Sequence, residues 1–208
     1  MEIEYRGANC VVIKNKKISI VVDPTENVSA KEMKNPETVI IATQKSFVPS
    51  KRDIQNFIIE TPGEYERNDV SVQGIPVRAH VDADEQARNA TMYSVETDGL
   101  RIVVIGHTTA PLDDEDLENL GMIDVVVIPV GGGGYTLDAR DAATIVRQIS
   151  PKVVIPTHYA DTHVKYEVPQ ESVEDFVKEL ASAHKKESSF KAKDLPEGLT
   201  IFELTRTS

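Results

Sequence analysis

The chain has 208 residues, of which 40% are apolar and 27% charged, enough for one sizeable domain or two small ones with a real core. Thirty-four acidic residues against 23 basic ones give a net charge of −11, which argues against a nucleic-acid backbone as a general partner. No apolar run approaches the roughly 20 residues of a membrane helix, the start Met1-Glu2-Ile3-Glu4-Tyr5-Arg6 lacks the layout of a signal peptide, and one cysteine excludes an internal disulfide framework or a thiolate zinc cluster. These features point to a cytoplasmic protein with no membrane partner. Cys10, inside the run Cys10-Val11-Val12-Ile13, reads as a small buried hydrophobe.

The first part of the chain reads as β-structure. Ile3–Tyr5, Cys10–Ile13 and Ile18–Val22 are short apolar runs, the last two joined by a hairpin turn at Asn15-Lys16-Lys17. Asp23-Pro24 stops the third run, because proline cannot donate to a ladder. Residues 25–38 are polar and read as a loop, Val39–Ile41 as a buried strand, and Gln44 to Pro49 as the loop after it. Phe57–Ile59 follows, then a turn at Thr61-Pro62-Gly63-Glu64. Val70–Val77 and Thr91–Val95 are further strands, and Asp98-Gly99 marks a hairpin into Leu100–Ile105.

The second part alternates strands with helices. Asp113 to Glu118 has the acid-rich opening of a short helix that Gly121 closes. Val125–Val130 is a buried strand. Ala142, Ile145, Val146 and Ile149 fall on one face of a helix over 139–149, ended by Pro151. Val153–Ile155 is the next strand. Val173, Phe176, Val177 and Leu180 define a last amphipathic helix, the Lys-rich stretch 184–194 reads as a surface loop, and Leu199–Leu204 as a closing strand. The order predicts a single domain of the α/β (α+β) layered class over residues 1–208.

Four ordered segments carry a resemblance: Gly7 through Val22-Asp23-Pro24; Pro62-Gly63-Glu64-Tyr65-Glu66 with Val72-Gln73-Gly74-Ile75-Pro76 and His80; Asp98 through Gly106-His107, Leu112–Gly121, Ile123-Asp124 and Ile128-Pro129-Val130-Gly131-Gly132; and Pro151 through Pro156-Thr157-His158-Tyr159. Together they cover about three quarters of the chain and resemble the metallo-β-lactamase-fold hydrolases, most closely the branch of L-ascorbate-6-phosphate lactonase-like proteins. The resemblance implies a four-layer αββα sandwich with a metal site at one sheet edge. It also implies a His-x-His-x-Asp-His motif after the strand at Val39–Ile41, where this chain has Gln44-Lys45-Ser46-Phe47-Val48-Pro49, with no histidine and no carboxylate. Of the remaining ligand positions that the resemblance implies, His80 and His158 match, and His107 stands where a metal-bridging Asp is expected. A neutral imidazole offers one lone pair, so His107 cannot bridge two metals.

Two expectations follow. The first is a protein that has lost the hydrolase motif, needs no cofactor, and is non-catalytic or binds a small molecule. The alternative is a mononuclear hydrolase holding one Zn or Mn on His80, His107 and His158 and acting on a small anionic ester or lactone, since three His and a water are a competent zinc set. His163 and His184 read as surface residues. Gly131-Gly132-Gly133-Gly134, between a strand and a helix, is read either as a phosphate-cradling loop or as a plain turn. Asp23, by the same resemblance, is a structural Asp tying rim loops together. Nothing in the sequence bears on homo-oligomerisation.

Overall fold

The computed structural model describes residues 1–24, 30–49 and 55–207. Two mixed β-sheets pack face to face. The first is built from β1 (Glu2–Gly7), β2 (Cys10–Lys14), β3 (Ser19–Val22), β4 (Val39–Ile41), β5 (Phe57–Ile59) and β13 (Phe190–Lys191), in the order β13-β1-β2-β3-β4-β5. The second is built from β6 (Gly63–Arg67), β7 (Val70–Val77), β8 (Ala90–Thr97), β9 (Leu100–Val104), β10 (Val125–Pro129), β11 (Val153–Thr157), β12 (Ala183–Glu187) and β14 (Thr200–Leu204), in the order β12-β14-β11-β10-β9-β8-β7-β6. Helices α2 (Asp114–Leu120), α3 (Ala139–Ile149) and α4 (Val173–Leu180) complete the second half, and α1 (Ala30–Met33) lies in the first.

Alternation along the strands sorts the side chains into layers. Ile3, Tyr5, Val11, Ile13, Ile20 and Val22 of the first sheet meet Val70, Val72, Tyr93, Val95, Ile102, Val104, Val125, Val127, Val153 and Ile155 of the second in one apolar cluster between the sheets. The opposite face of the second sheet, with Val103, Val126, Ile128 and Val154, packs on Ala142, Ile145 and Val146 of α3 and Phe176 and Leu180 of α4. Cys10, Val12 and Val21 form a small buried cluster on the other face of the first sheet. The central strands β9, β10 and β11 pair in parallel and read as continuous Val/Ile runs because both faces are covered.

The expected sandwich is therefore present, with one difference. Among the described residues the helical cover of the first sheet is the four-residue α1 alone, within the stretch read as loop; positions 25–29 of that stretch lie outside the described residues. The surface loop expected over 184–194 is wrong in its main part. His184 to Glu187 belong to β12, paired in parallel with β14, and Phe190-Lys191 pair with Glu2 and Ile3. Lys185 and Lys186 on an exposed edge strand hide the strand signal and protect that edge from pairing with another chain. Phe190, fully buried, is the residue that anchors the segment.

Helix α3 starts at the Asp138 N-cap, whose carboxylate accepts from the Asp141 amide at 2.8 Å. Asp138→Ala is expected to lower stability by about 1 kcal/mol, measurable as a shift in urea midpoint with an unchanged slope. Gly121, at φ 60°, ends α2 as expected.

Candidate functional site

The strands of the second sheet end on one rim, and three backbone turns there bring the histidines together. His80 lies just beyond β7, and its amide donates to the His107 carbonyl at 2.8 Å, beside a bridge between Ala79 and Thr108. His107 follows Gly106, whose φ of 63° lets the chain reverse after β9. A Cβ on Gly106 would come within 2.6 Å of Thr43 Cβ, so two sheet ends meet there too closely for any side chain. His158 ends β11 at φ 52°, an unusual conformation for a non-glycine residue, and its amide donates to Ala8 O at 2.7 Å.

Two of the three expected histidines, His107 and His158, meet through their rings, and His80 joins His107 through the backbone. The His107 and His158 rings sit edge to face with centroids 5.4 Å apart. Phe47, from the short helical turn Lys45–Phe47 that follows β4, packs on His107 at 4.8 Å, and Tyr166 packs on His158 at 5.1 Å. His158 Nδ1 is held by Gln170 Oε1 at 3.0 Å. Burial pushes His107 down to about 3, with His158 and His80 adding to the effect, and burial also lowers His158. His107 is therefore a neutral imidazole at any physiological pH.

Beneath the rings runs a buried polar chain. Asp23 accepts from the Thr43 amide at 2.7 Å, Thr43 Oγ1 at 2.6 Å and Asn9 Nδ2 at 2.5 Å, while Thr157 Oγ1 donates to Asn9 Oδ1 at 2.8 Å. The chain ties the β1–β2 turn, the ends of β3 and β4 and the end of β11, next to His158. Desolvation raises Asp23 from its ordinary 3.8 to about 6, against the three hydrogen bonds that lower it.

The glycine loop is a packed turn. Gly131 O accepts from the Glu171 amide at 2.7 Å and Gly132 N–H donates to Leu137 O at 2.9 Å. Gly132, Gly133 and Gly134 have φ of 65°, 70° and 80°, so glycine is required by conformation. The N-terminus of α3 already carries Asp138 and Asp141, which leaves no phosphate cradle at the helix itself. His163 is exposed and beside Asp161, as expected for a surface residue. His184 is more constrained, its Nε2 2.9 Å from Glu203 Oε2.

Sequence reasoning missed Phe47, Tyr166, Gln170 and the Asn9–Thr157 link. Phe47 and Asn9 come from turns distant in sequence from their partners, whereas Tyr166 and Gln170 stand on the irregular loop that follows His158, which carries no periodic signal.

Among the described residues no group of three or more His, Cys, Asp and Glu side chains is arranged to hold a metal ion. The rings of His107 and His158 meet edge to face beside Phe47 and Tyr166.

A two-sheet sandwich with strand-end histidines on one rim is the metallo-β-lactamase fold. The chain belongs to the beta-lactamase superfamily domain family, whose model matches residues 2–158. It is 31% identical over 119 residues to a UPF0173 metal-dependent hydrolase of Thermococcus onnurineus, a match covering 51% of this chain and 53% of that protein. It is 24% identical over 210 residues to a UPF0173 protein of Pyrococcus furiosus, covering 86% and 90%. The chain thus spans about half the length of the first of these relatives. Among solved structures, a proposed zinc-dependent hydrolase of the metallo-β-lactamase superfamily from Thermotoga maritima superposes with a TM-score of 0.73 at 21% identity, covering 98% of this chain and 99% of that one. Igni18, a metallo hydrolase from Ignicoccus hospitalis, gives 0.62 at 15% identity, covering 99% and 94%. These two likenesses concern the fold. No helix among the described residues is long and apolar enough to cross a membrane.

Proposed function

We propose that this chain is a metallo-β-lactamase-fold protein that has lost the metal-binding motif and binds a small molecule at the histidine rim without hydrolysing it. The observation that carries this reading is the Phe47 ring against His107, with Gln44 to Pro49 supplying neither imidazole nor carboxylate. Hydrolysis in this fold draws on a metal-bound hydroxide, and the segment Gln44 to Pro49 supplies none of the ligands that the motif would bring to it. The names of the relatives speak of metal-dependent hydrolases. This chain keeps their fold and departs from that chemistry. We further infer that the L-ascorbate-6-phosphate lactonase-like branch gives its ancestry rather than its activity.

What remains at the rim is a set of imidazoles, hydroxyls and rings suited to hydrogen bonding and stacking. His158 is oriented by Gln170, His107 is held between Phe47 and His158, and the Asp23 chain fixes the strand ends beneath. The Gly131–Gly134 turn closes one side of the rim.

Elemental analysis of untagged protein, dialysed against zinc and manganese and then against buffer, is expected to find well under one metal per chain. Added zinc is expected to leave the melting temperature unchanged, whereas a site filled at 100 times its Kd would add about 2.7 kcal/mol. One metal per chain that disappears in both His80→Ala and His158→Ala would sink this reading in favour of a mononuclear hydrolase on His80, His107 and His158.

A further inference from the structure

Residues 159–172, between β11 and α4, form the loop that carries two neighbours of the His158 ring, Tyr166 and Gln170. Its ends are clasped, the Ala160 amide donating to Glu171 O at 2.9 Å and the Glu171 amide to Gly131 O at 2.7 Å. Gln170 is oriented as well as placed. Its Nε2 donates to Val168 O at 3.1 Å, which turns Oε1 towards His158 and makes Nδ1–H of that ring the donor. The Tyr166 hydroxyl donates to Tyr159 O at 2.8 Å. Every residue from 161 to 171 is at least partly exposed, so polar contacts rather than a buried core decide the path of this loop.

The segment that follows β14 reaches the same loop. The Thr205 amide donates to Glu187 O at the end of β12 at 2.8 Å, and the Thr207 amide to Tyr5 O of β1 at 2.9 Å, so three residues pass from the second sheet to the first. Thr207 Oγ1 also donates to Tyr5 O at 3.2 Å and accepts from Arg6 Nη1. Between the two pinned threonines, Arg206 lays its stem on Gly7, where a Cβ would come within 3.0 Å of both Arg206 Cδ and Val164 Cγ2. Its Nε then meets Asp161 Oδ2 at 3.1 Å, with the two side chains 29% and 13% exposed. Asp161 Oδ1 accepts from the His163 amide at 2.8 Å, and Asp161 O from the Val164 amide at 3.1 Å, so this carboxylate organises the first turn of the loop. An ion pair whose partners are both fixed in this way gives up less side-chain freedom on forming than two free surface chains do.

We propose that Arg206 is a positioning residue for the histidine rim: strapped between the two sheets, its guanidinium holds Asp161 and so sets the loop that places Tyr166 and Gln170 against His158. Without the pair the loop keeps its clasp at Ala160 and Glu171 but loses the contact that fixes its path between them. The assignment concerns the protein's own contacts and holds whichever small molecule the rim takes.

The test reads the His158 ring itself by long-range proton–nitrogen NMR at a pH where the imidazole is neutral. The native protein is expected to show the Nδ1–H tautomer alone, and Arg206→Ala a mixture of the two tautomers. Amide hydrogen exchange at Ala160 and Glu171 is expected to quicken about fivefold in that variant, the scale of one lost ion pair. Unchanged exchange at Val126 and Val127 of β10 would show that the core is intact. Asp161→Asn, which keeps the acceptor of the turn, is expected to match Arg206→Ala. Arg206→Lys is expected to restore the native ring signals, because the pair uses one nitrogen and one carboxylate oxygen. Lys152→Ala removes a comparable ion pair, with Asp124 at 3.4 Å, next to the opposite end of β11, and is expected to leave His158 unchanged. A native His158 spectrum in Arg206→Ala, or an equal disturbance in Lys152→Ala, overturns the proposal.

Discussion

Asp23→Ala is expected to destabilise the protein most at mildly acidic pH, on the order of 3 kcal/mol or more, with a smaller loss at neutral pH. The substitution leaves the Thr43 amide, Thr43 Oγ1 and Asn9 Nδ2 without their acceptor, and all three are buried. An unsatisfied buried donor costs about 1–3 kcal/mol. The pH dependence follows from the raised Asp23 pKa of about 6 against 3.8 for an ordinary aspartate. The folded state holds the proton more tightly than the unfolded chain, so this contribution to stability is fully present below pH 3.8 and is lost as pH rises through 6. A difference of about two pKa units corresponds to about 3 kcal/mol. Urea unfolding from pH 4 to pH 8 should therefore show a declining contribution in the native protein that is absent from Asp23→Ala. Parallel pH profiles for the two proteins would show that Asp23 is ionised in the folded state throughout this range.

Gly131→Ala is expected to cost about 3 kcal/mol or more and to disturb the rim directly. A Cβ at this position would lie 2.0 Å from His158 O and 2.7 Å from Gln170 Oε1. The first contact is with backbone, which cannot rotate away, so the Val130–Thr157 and Glu171–Gly131 hydrogen bonds must stretch to make room. Overpacking of this kind typically costs about 1–3 kcal/mol where side chains can adjust, and here the obstacle is main chain. A drop in urea midpoint together with shifted His158 ring resonances is the expected result. Gly134→Ala makes the comparison informative, because nothing lies within 4 Å of its Cβ and only its positive φ opposes the change. Equal effects of the two substitutions would mean that the contact with His158 yields and costs no more than the positive φ at 134.

Most strands were legible because their signal is local. Val70–Val77 alternates, Val125–Pro129 is a closed apolar run, and Asp98-Gly99 is a hairpin turn by chemistry alone. Helix α3 announces itself through the spacing of Ala142, Ile145, Val146 and Ile149, with residues 139–149 helical as expected. Strand β12 was missed because an edge strand faces solvent, so its charged side chains resemble those of a loop. The short α1 was missed because four residues give too little periodicity to register.

The sequence by itself determined the class of fold, the hairpins and amphipathic helices, the loop without imidazole or carboxylate at Gln44–Pro49, and the candidates His80, His107 and His158. Local propensity and hydrophobic period act within a few residues, so a single chain read in order carries them. Only the tertiary structure decided that His107 and His158 meet as packed rings with Phe47 and Tyr166, that Gln170 holds His158, and that Asp23 links Asn9 and Thr43. Those contacts join residues as far apart as Asn9 and Thr157. They arise where the ends of two sheets converge, and sheet convergence is set by the whole core rather than by any one segment.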